Sequence, residues 1–276
     1  KFKTVYLYNN KHLNNVLISA LPGILSILLS FFSIPFFLNL ISADYYANYL
    51  IQHFILSLGM VLNLNLGKFA SVKIQRLNTV KRREIIFTTI VVSFITGTFL
   101  SAVTYFVILY FFDDKNFFNI SLSLFIGLLI TILYIGTEHI IKGLGHFKLC
   151  SLTNFLFYSL SLSSPAFFLL IENQNINLLD NLFNISLIIK FFSLLFLLSF
   201  LILKKELTLT RIDLDLFREF KTHAKWMTIT GFYNQIYDYI DKHIIKINFG
   251  SIMLVTYAVP QQIAAKLTIF SHAIIA

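Results

Sequence analysis

WMTITGFYNQIYDYIDKHIIKINF, residues 226–249, is long enough to cross a bilayer and yet carries Asp238, Asp241, Lys242 and Lys246. A spanning helix needs about 20 mainly apolar residues, and an ionisable side chain at its centre costs about 2.5–3.5 kcal/mol on insertion scales. Wound at about 100° per residue, Asn234, Gln235, Asp238, Asp241, Lys242 and Lys246 gather within an arc of about 140°, while Phe232, Ile236, Ile240, Ile244 and Ile247 take the opposite side. One face suits lipid or protein packing and the other suits water. Two readings fit. The stretch is either a cavity-lining span whose charges mark a substrate or ion path, or an amphipathic helix lying in the interface with its lysines among headgroups. Asp238 and Lys242, four apart, can also neutralise each other on one helix face.

Composition points to an integral membrane protein. Of 276 residues, 57% are hydrophobic and 13% charged, where soluble domains average about 25% charged. Repeated apolar runs of about 20 residues predict an all-α, polytopic membrane helix bundle, and the ten-residue alternation of an outer-membrane barrel is missing. A formal charge of +9 would point to nucleic acid in a soluble protein. Here the basic residues sort by side of the membrane, so no nucleic-acid partner is expected. Cys150, the single cysteine, excludes an intramolecular disulfide and cannot alone make a metal site. No Ser-His-Asp arrangement, metal-ligand cluster or phosphate-cradling glycine loop is present, so the expectation is a non-enzyme without cofactor or metal; Gly143-Leu144-Gly145 reads as a tight turn. The first apolar run, from near Val16, outlasts a signal peptide and lacks its cleavage site. The chain begins without Met and stops inside an apolar run at Ala276, which reads as a C-terminally truncated fragment.

Eight spans are expected, near residues 14–41, 45–67, 85–112, 120–141, 149–171, 182–203, 226–249 and 252–276. Basic residues crowd alternate connections: Lys1, Lys3 and Lys11; Lys68, Lys73, Arg76, Lys81, Arg82 and Arg83; Lys142 and Lys148; Lys204, Lys205, Arg211, Arg218, Lys221 and Lys225. The intervening connectors hold only Lys115. By the positive-inside rule the N-terminus is cytoplasmic. The longest break, KKELTLTRIDLDLFREFKTHAK at 204–225, divides a six-span lobe (1–206) from a linker (207–225) and the start of a second lobe (226–276). That linker reads either as an interfacial helix dipping Leu207, Leu209, Leu214, Leu216 and Phe217 into lipid or as a solvated connection. An offset of 208 residues places Gly23 on Gly231 and Tyr49 on Tyr257. The same offset superimposes a long span, a short outer connector and a second span, as repeated transporter halves do.

From Ile240 the chain reads IDKHIIKINFGSIMLVTYAVPQQIAAK. With Asp241-Lys242, Phe249-Gly250 and Tyr257 at this spacing, it resembles the Wzx-type polysaccharide flippases of the multidrug/oligosaccharidyl-lipid/polysaccharide exporter superfamily. Val255 stands where that family prefers Gly, and Leu40 to Asp44 leading to Tyr49 echoes the plan in the first lobe. The resemblance implies a multi-pass protein of the bacterial inner membrane. Its substrate would be an undecaprenyl-diphosphate-linked oligosaccharide, as for O-antigen or capsule, moved by alternating access between two six-helix bundles. Membrane lipids and other polysaccharide-assembly proteins would be its partners.

On that reading Lys190, Lys242, Lys246 and Lys266 supply cations for a diphosphate. Asp238 and Asp241 are candidates for ion coupling, and Asn234 and Gln235 share their face. Snorkelling to an interface is the alternative for each lysine. Glu138 and His139 read as an interfacial group with Lys142. Gln52, His53, Asn63 and Asn65 either line the cavity or bond between helices, and Tyr45, Tyr46 and Tyr49 are expected in the outer aromatic belt. The rival functions are a multidrug cation antiporter of the same superfamily, which would want an acidic cavity, and a polysaccharide polymerase or ligase, which would want a long outer loop with Arg or His.

Overall fold

The computed structural model of the chain describes residues 24–59, 65–111, 116–169, 178–213, 240–242 and 244–261, with isolated positions beside them. Among the described residues the fold is an all-α helical bundle without strands. In chain order we label α1 (Ile24–Leu40), α2 (Ala43–Ser57), α3 (Leu66–Ile74), α4 (Thr79–Phe111) and α5 (Asn116–Gly143). These are followed by α6 (Phe147–Asn154), a π-helical turn (Phe155–Leu160), α7 (Ser161–Phe168) and α8 (Leu178–Leu203), and helical residues 244–261 form the last described pair.

Three of these helices are long and apolar enough to cross a membrane, over Thr79–Phe106, Leu122–Gly143 and Leu182–Leu203. The middle one is the axis of the bundle, 72% buried where the other two are 39% buried. Those two turn phenylalanines outward: Phe94, Phe99 and Phe106 on α4, Phe192 and Phe196 on α8. A soluble monomer rarely exposes a contiguous apolar surface of this kind, so the exterior is compatible with membrane insertion.

Helix ends follow local chemistry. Ser42 caps α2 by accepting from the Tyr45 amide, which satisfies one of the free donors of a first turn. After α5 the chain reverses through Gly145 at φ +85°, with the Gly145 and His146 amides bonded to the Lys142 and Ile141 carbonyls. This is the tight turn expected at 143–145. Gly143 is needed for another reason: a Cβ there would stand 2.8 Å from the Ser71 backbone of α3.

The expected second span, 45–67, is not one helix. It divides into α2 and α3, and Asn65 between them has φ 53°. Asn63, in the break, donates from Nδ2 to the Ile132 carbonyl of α5 at 2.6 Å, so of the two roles left open for it the interhelical bond is the one observed. Basic residues assigned to a connector, Lys68 and Lys73, lie on α3 itself.

Of the linker, residues 207–213, 215, 216, 218 and 219 are described; Leu214, Phe217 and 220–225 lie outside the described residues. Beyond α8 the chain is a strap held across the ends of α3 and α4. Arg82 forms a two-pronged pair with Glu206, the Asp213 amide donates to Thr88 Oγ1 at 2.8 Å, and Lys73 pairs with Glu219. Leu216 is buried in the core under it and Leu207 packs against that core, whereas Leu209 is exposed. Alternating polarity made the strap look interfacial; Glu206, the Asp213 amide and Glu219 instead find partners on the bundle, while Arg218 pairs with Asp215 within the strap.

Candidate functional site

Lys190 lies on the buried stripe of α8, one turn after Ser186 and one before Ser193, and is only 5% exposed. Its Nζ stands 4.8 Å from the centroid of the Phe157 ring, in the π-turn. The same ring is stacked on Tyr134 of α5 at 3.7 Å and 10° and meets Tyr158 edge-on. Tyr134 donates its hydroxyl to Asn154 Oδ1 at 2.8 Å, and Asn154 Nδ2 donates to Glu138 Oε1 at 2.7 Å. Glu138 is buried and pairs with Lys142, four residues on and half-exposed. A polar chain thus runs from the end of α5 to the centre of the bundle, and there it meets a cation through an aromatic face.

Among the described residues no carboxylate pairs with Lys190. A cation over a desolvated ring gains about 2 kcal/mol, which offsets most of an insertion cost of about 2.5–3.5 kcal/mol but not all of it. The lysine is tolerated in the bundle, and no acid among the described residues consumes the charge it offers.

On α2, Tyr49 and His53 face α8. Ser186 Oγ and His53 Nε2 are 3.2 Å apart, the His53 ring meets Tyr49 and Phe183 edge-on, and the Tyr49 hydroxyl donates to the Leu162 carbonyl at 2.9 Å. Tyr46 and Tyr49 are core residues, 2% and 0% exposed, stacked or tilted on Phe37. Only Tyr45 of the three is exposed as an outer aromatic belt would require. The reason is register: Tyr46 and Tyr49, three apart on one face of α2, are turned to the core by the same helix that turns Tyr45 away.

The 240–249 segment meets another side of α2. Lys242 is buried with Nζ 4.5 Å from the Phe54 ring centroid, and Lys246 donates to Asn48 Oδ1. Asp241 accepts from the Tyr257 hydroxyl, on the far side of Gly250. At φ +81° Gly250 lets the two helical segments meet in a short hairpin, a conformation that a residue with Cβ enters only at a steric cost. Leu254, Val255 and Ala258 then pack into the core formed by Phe37, Tyr46 and Leu50. Ile240, Ile244 and Ile247 are exposed, as the apolar face of the stretch requires.

The acid-base pair read from the sequence is therefore divided, Asp241 holding its own hairpin and Lys242 reaching α2. Lys190, Lys242 and Lys246 all approach α2 or its immediate neighbours. Asn234, Gln235, Asp238 and Lys266 lie outside the described residues. Phe157, Tyr134, Asn154, Phe54 and Asn48, which hold the lysines or extend their network, carry no local mark in a chain with 31 phenylalanines. The usable signal was the run Ser186, Lys190, Ser193, small and polar residues on one face of an otherwise apolar helix. No family model, curated protein or solved structure matches the chain.

Proposed function

We propose that this chain is part of a transporter that flips an anionic, polyprenyl-diphosphate-linked oligosaccharide across the bacterial inner membrane for surface polysaccharide synthesis. Its N-terminus is cytoplasmic, and access alternates between the lobe ending near Lys204 and the lobe opening near Trp226. The observation that carries this reading is Lys190, a buried lysine held by a ring and, among the described residues, by no carboxylate. An anionic ligand can still compensate such a charge, whereas a cationic drug would be repelled by it.

Depth supports the same reading. His53 lies ten residues into α2, Lys190 twelve into α8 and Lys242 eight before Gly250. At about 1.5 Å per residue these are about 15, 18 and 12 Å from one end, near the middle of a hydrocarbon core of about 30 Å. Transporter sites concentrate at that depth, beside discontinuous helices, and the α2–α3 break is one. The spacing from Asp241 to Tyr257 adds the resemblance to oligosaccharide flippases.

The test is glycan export in a host deleted for the gene and complemented with variants. Lys190→Met and Lys242→Ala should each accumulate lipid-linked precursor while reaching wild-type abundance in the membrane. Normal export in both would remove the proposed site, and drug efflux without any glycan phenotype would favour the cation antiporter.

A further inference from the structure

The expected fifth span is a continuous helix with one irregular turn. Residues Phe147–Asn154 and Ser161–Phe168 are α-helical, and Phe155–Leu160 between them is π-helical. A π-turn contains one residue more than the α-turn it replaces, so everything beyond it is displaced by one position relative to a regular helix. Here the two halves are held by different neighbours. Before the turn, Asn154 is bonded to Tyr134 and Glu138 of α5. After its centre, the hydroxyls of Ser159 and Ser163 meet Ser26 and Ser33 of α1, the second pair at 3.2 Å. The extra residue satisfies both interfaces at once.

We propose that this π-turn is a register switch whose position decides whether an aromatic ring or an aliphatic chain covers Lys190. If the irregular turn moves towards the C-terminus, each residue between its old and new places moves forward into the place of its successor. Leu156 then takes the place of Phe157 beside the Lys190 ammonium, and Tyr158 takes the place of Ser159 opposite Ser26. The destination is prepared. Pro165 has no amide hydrogen to give to Ser161, and the Tyr49 hydroxyl lies 3.4 Å from the Ser161 carbonyl and 2.9 Å from that of Leu162. A helix already short of one bond there accepts an irregular turn at little further cost. With the ring withdrawn, the ammonium is available to an anion; with the ring returned, it is shielded. The switch thereby gates the site assigned above, and it rests on Lys190 being the ligand-facing charge.

Disulfide trapping in membranes reads the register directly. In a Cys150→Ser background, Ser26→Cys with Ser159→Cys reports the observed register and Ser26→Cys with Tyr158→Cys the displaced one. Ser33→Cys with Ser163→Cys reports that the helices are folded together. We expect the first pair to dominate. Phe157→Leu should raise the displaced pair at least threefold relative to the first, and Phe157→Tyr, which keeps a ring, should leave the ratio unchanged. A displaced pair that stays at background in Phe157→Leu, or rises equally in Phe157→Tyr, overturns the switch. Should Phe157→Leu lose the folding pair, Lys190→Met, which removes the cation from the ring, must give the same shift, and no shift there also overturns it. A shifted ratio in a protein whose Lys190→Met variant exports glycan normally would keep the switch and remove the ligand role.

Discussion

Lys190 and the pair Lys242 and Lys246 are three lysines in apolar helices, and the structure supports them in opposite ways. Lys190 is embedded within the helical bundle, held by a ring that is itself stacked on a tyrosine. Lys242 and Lys246 sit on an amphipathic segment, with its outer face of Ile240, Ile244 and Ile247 exposed and its inner face laid on Phe54 and Asn48 of α2. The first is a charge enclosed by a finished core. The others form a contact between the 240–258 hairpin and α2, at the edge of the bundle. In the proposed transporter, Lys190 would be the fixed anchor for an anion and the hairpin lysines the movable one.

The contrast breaks most sharply at Lys190. Lys190→Glu puts a carboxylate against an aromatic face, where the ring quadrupole repels it. We expect loss of export of at least a hundredfold and a drop in membrane abundance on immunoblots; an abundant, active variant would show that the position is not enclosed. Next in size is the hairpin. Tyr257→Phe leaves Asp241 without its donor, and hydrogen bonds to charged groups contribute about 1.5–3 kcal/mol, so a detergent unfolding scan should show a clear fall in midpoint. Asp241→Asn, able to accept the same bond, should lose less.

The strap offers a third comparison, because its anchors lie at the bundle's end. Arg82→Ala should open 207–213 to limited proteolysis severalfold faster, and the exchanged pair Arg82→Glu with Glu206→Arg should recover part of the protection. A cleavage rate that ignores both changes would mean that the Asp213–Thr88 bond, the Lys73–Glu219 pair and Leu216 hold the strap without Arg82. The smallest expected effect is the movable anchor. A double-mutant cycle of Lys246→Ala and Asn48→Ala should give a coupling of about 0.6 kcal/mol, the usual scale for polar bonds between membrane helices. A value near zero would release this segment from α2.

Much of the fold was legible because apolar length is a local property. The expected runs 85–112, 120–141 and 182–203 appear as Thr79–Phe111, Asn116–Gly143 and Leu178–Leu203. The exposure of Ile240, Ile244 and Ile247 against buried Lys242 follows from helical period alone. Glu138 and Lys142, read as a pair from their spacing, are one, though the carboxylate is buried more deeply than an interface would leave it.

What the sequence by itself determined is an all-α chain of long apolar helices, one amphipathic charged segment, a turn at 143–145 and a reversal near Gly250. Each depends on chain period, length or a residue's own backbone preference. Only the tertiary structure decided that the second expected span breaks in two, that Tyr46 and Tyr49 belong to the core, and that the described part of the linker is a strap. It alone divided Asp241 from Lys242 and gave Phe157, among so many phenylalanines, the position over Lys190. Those outcomes depend on which surfaces meet across residues distant in the chain, and a pattern along one helix cannot say what the helix beside it presents.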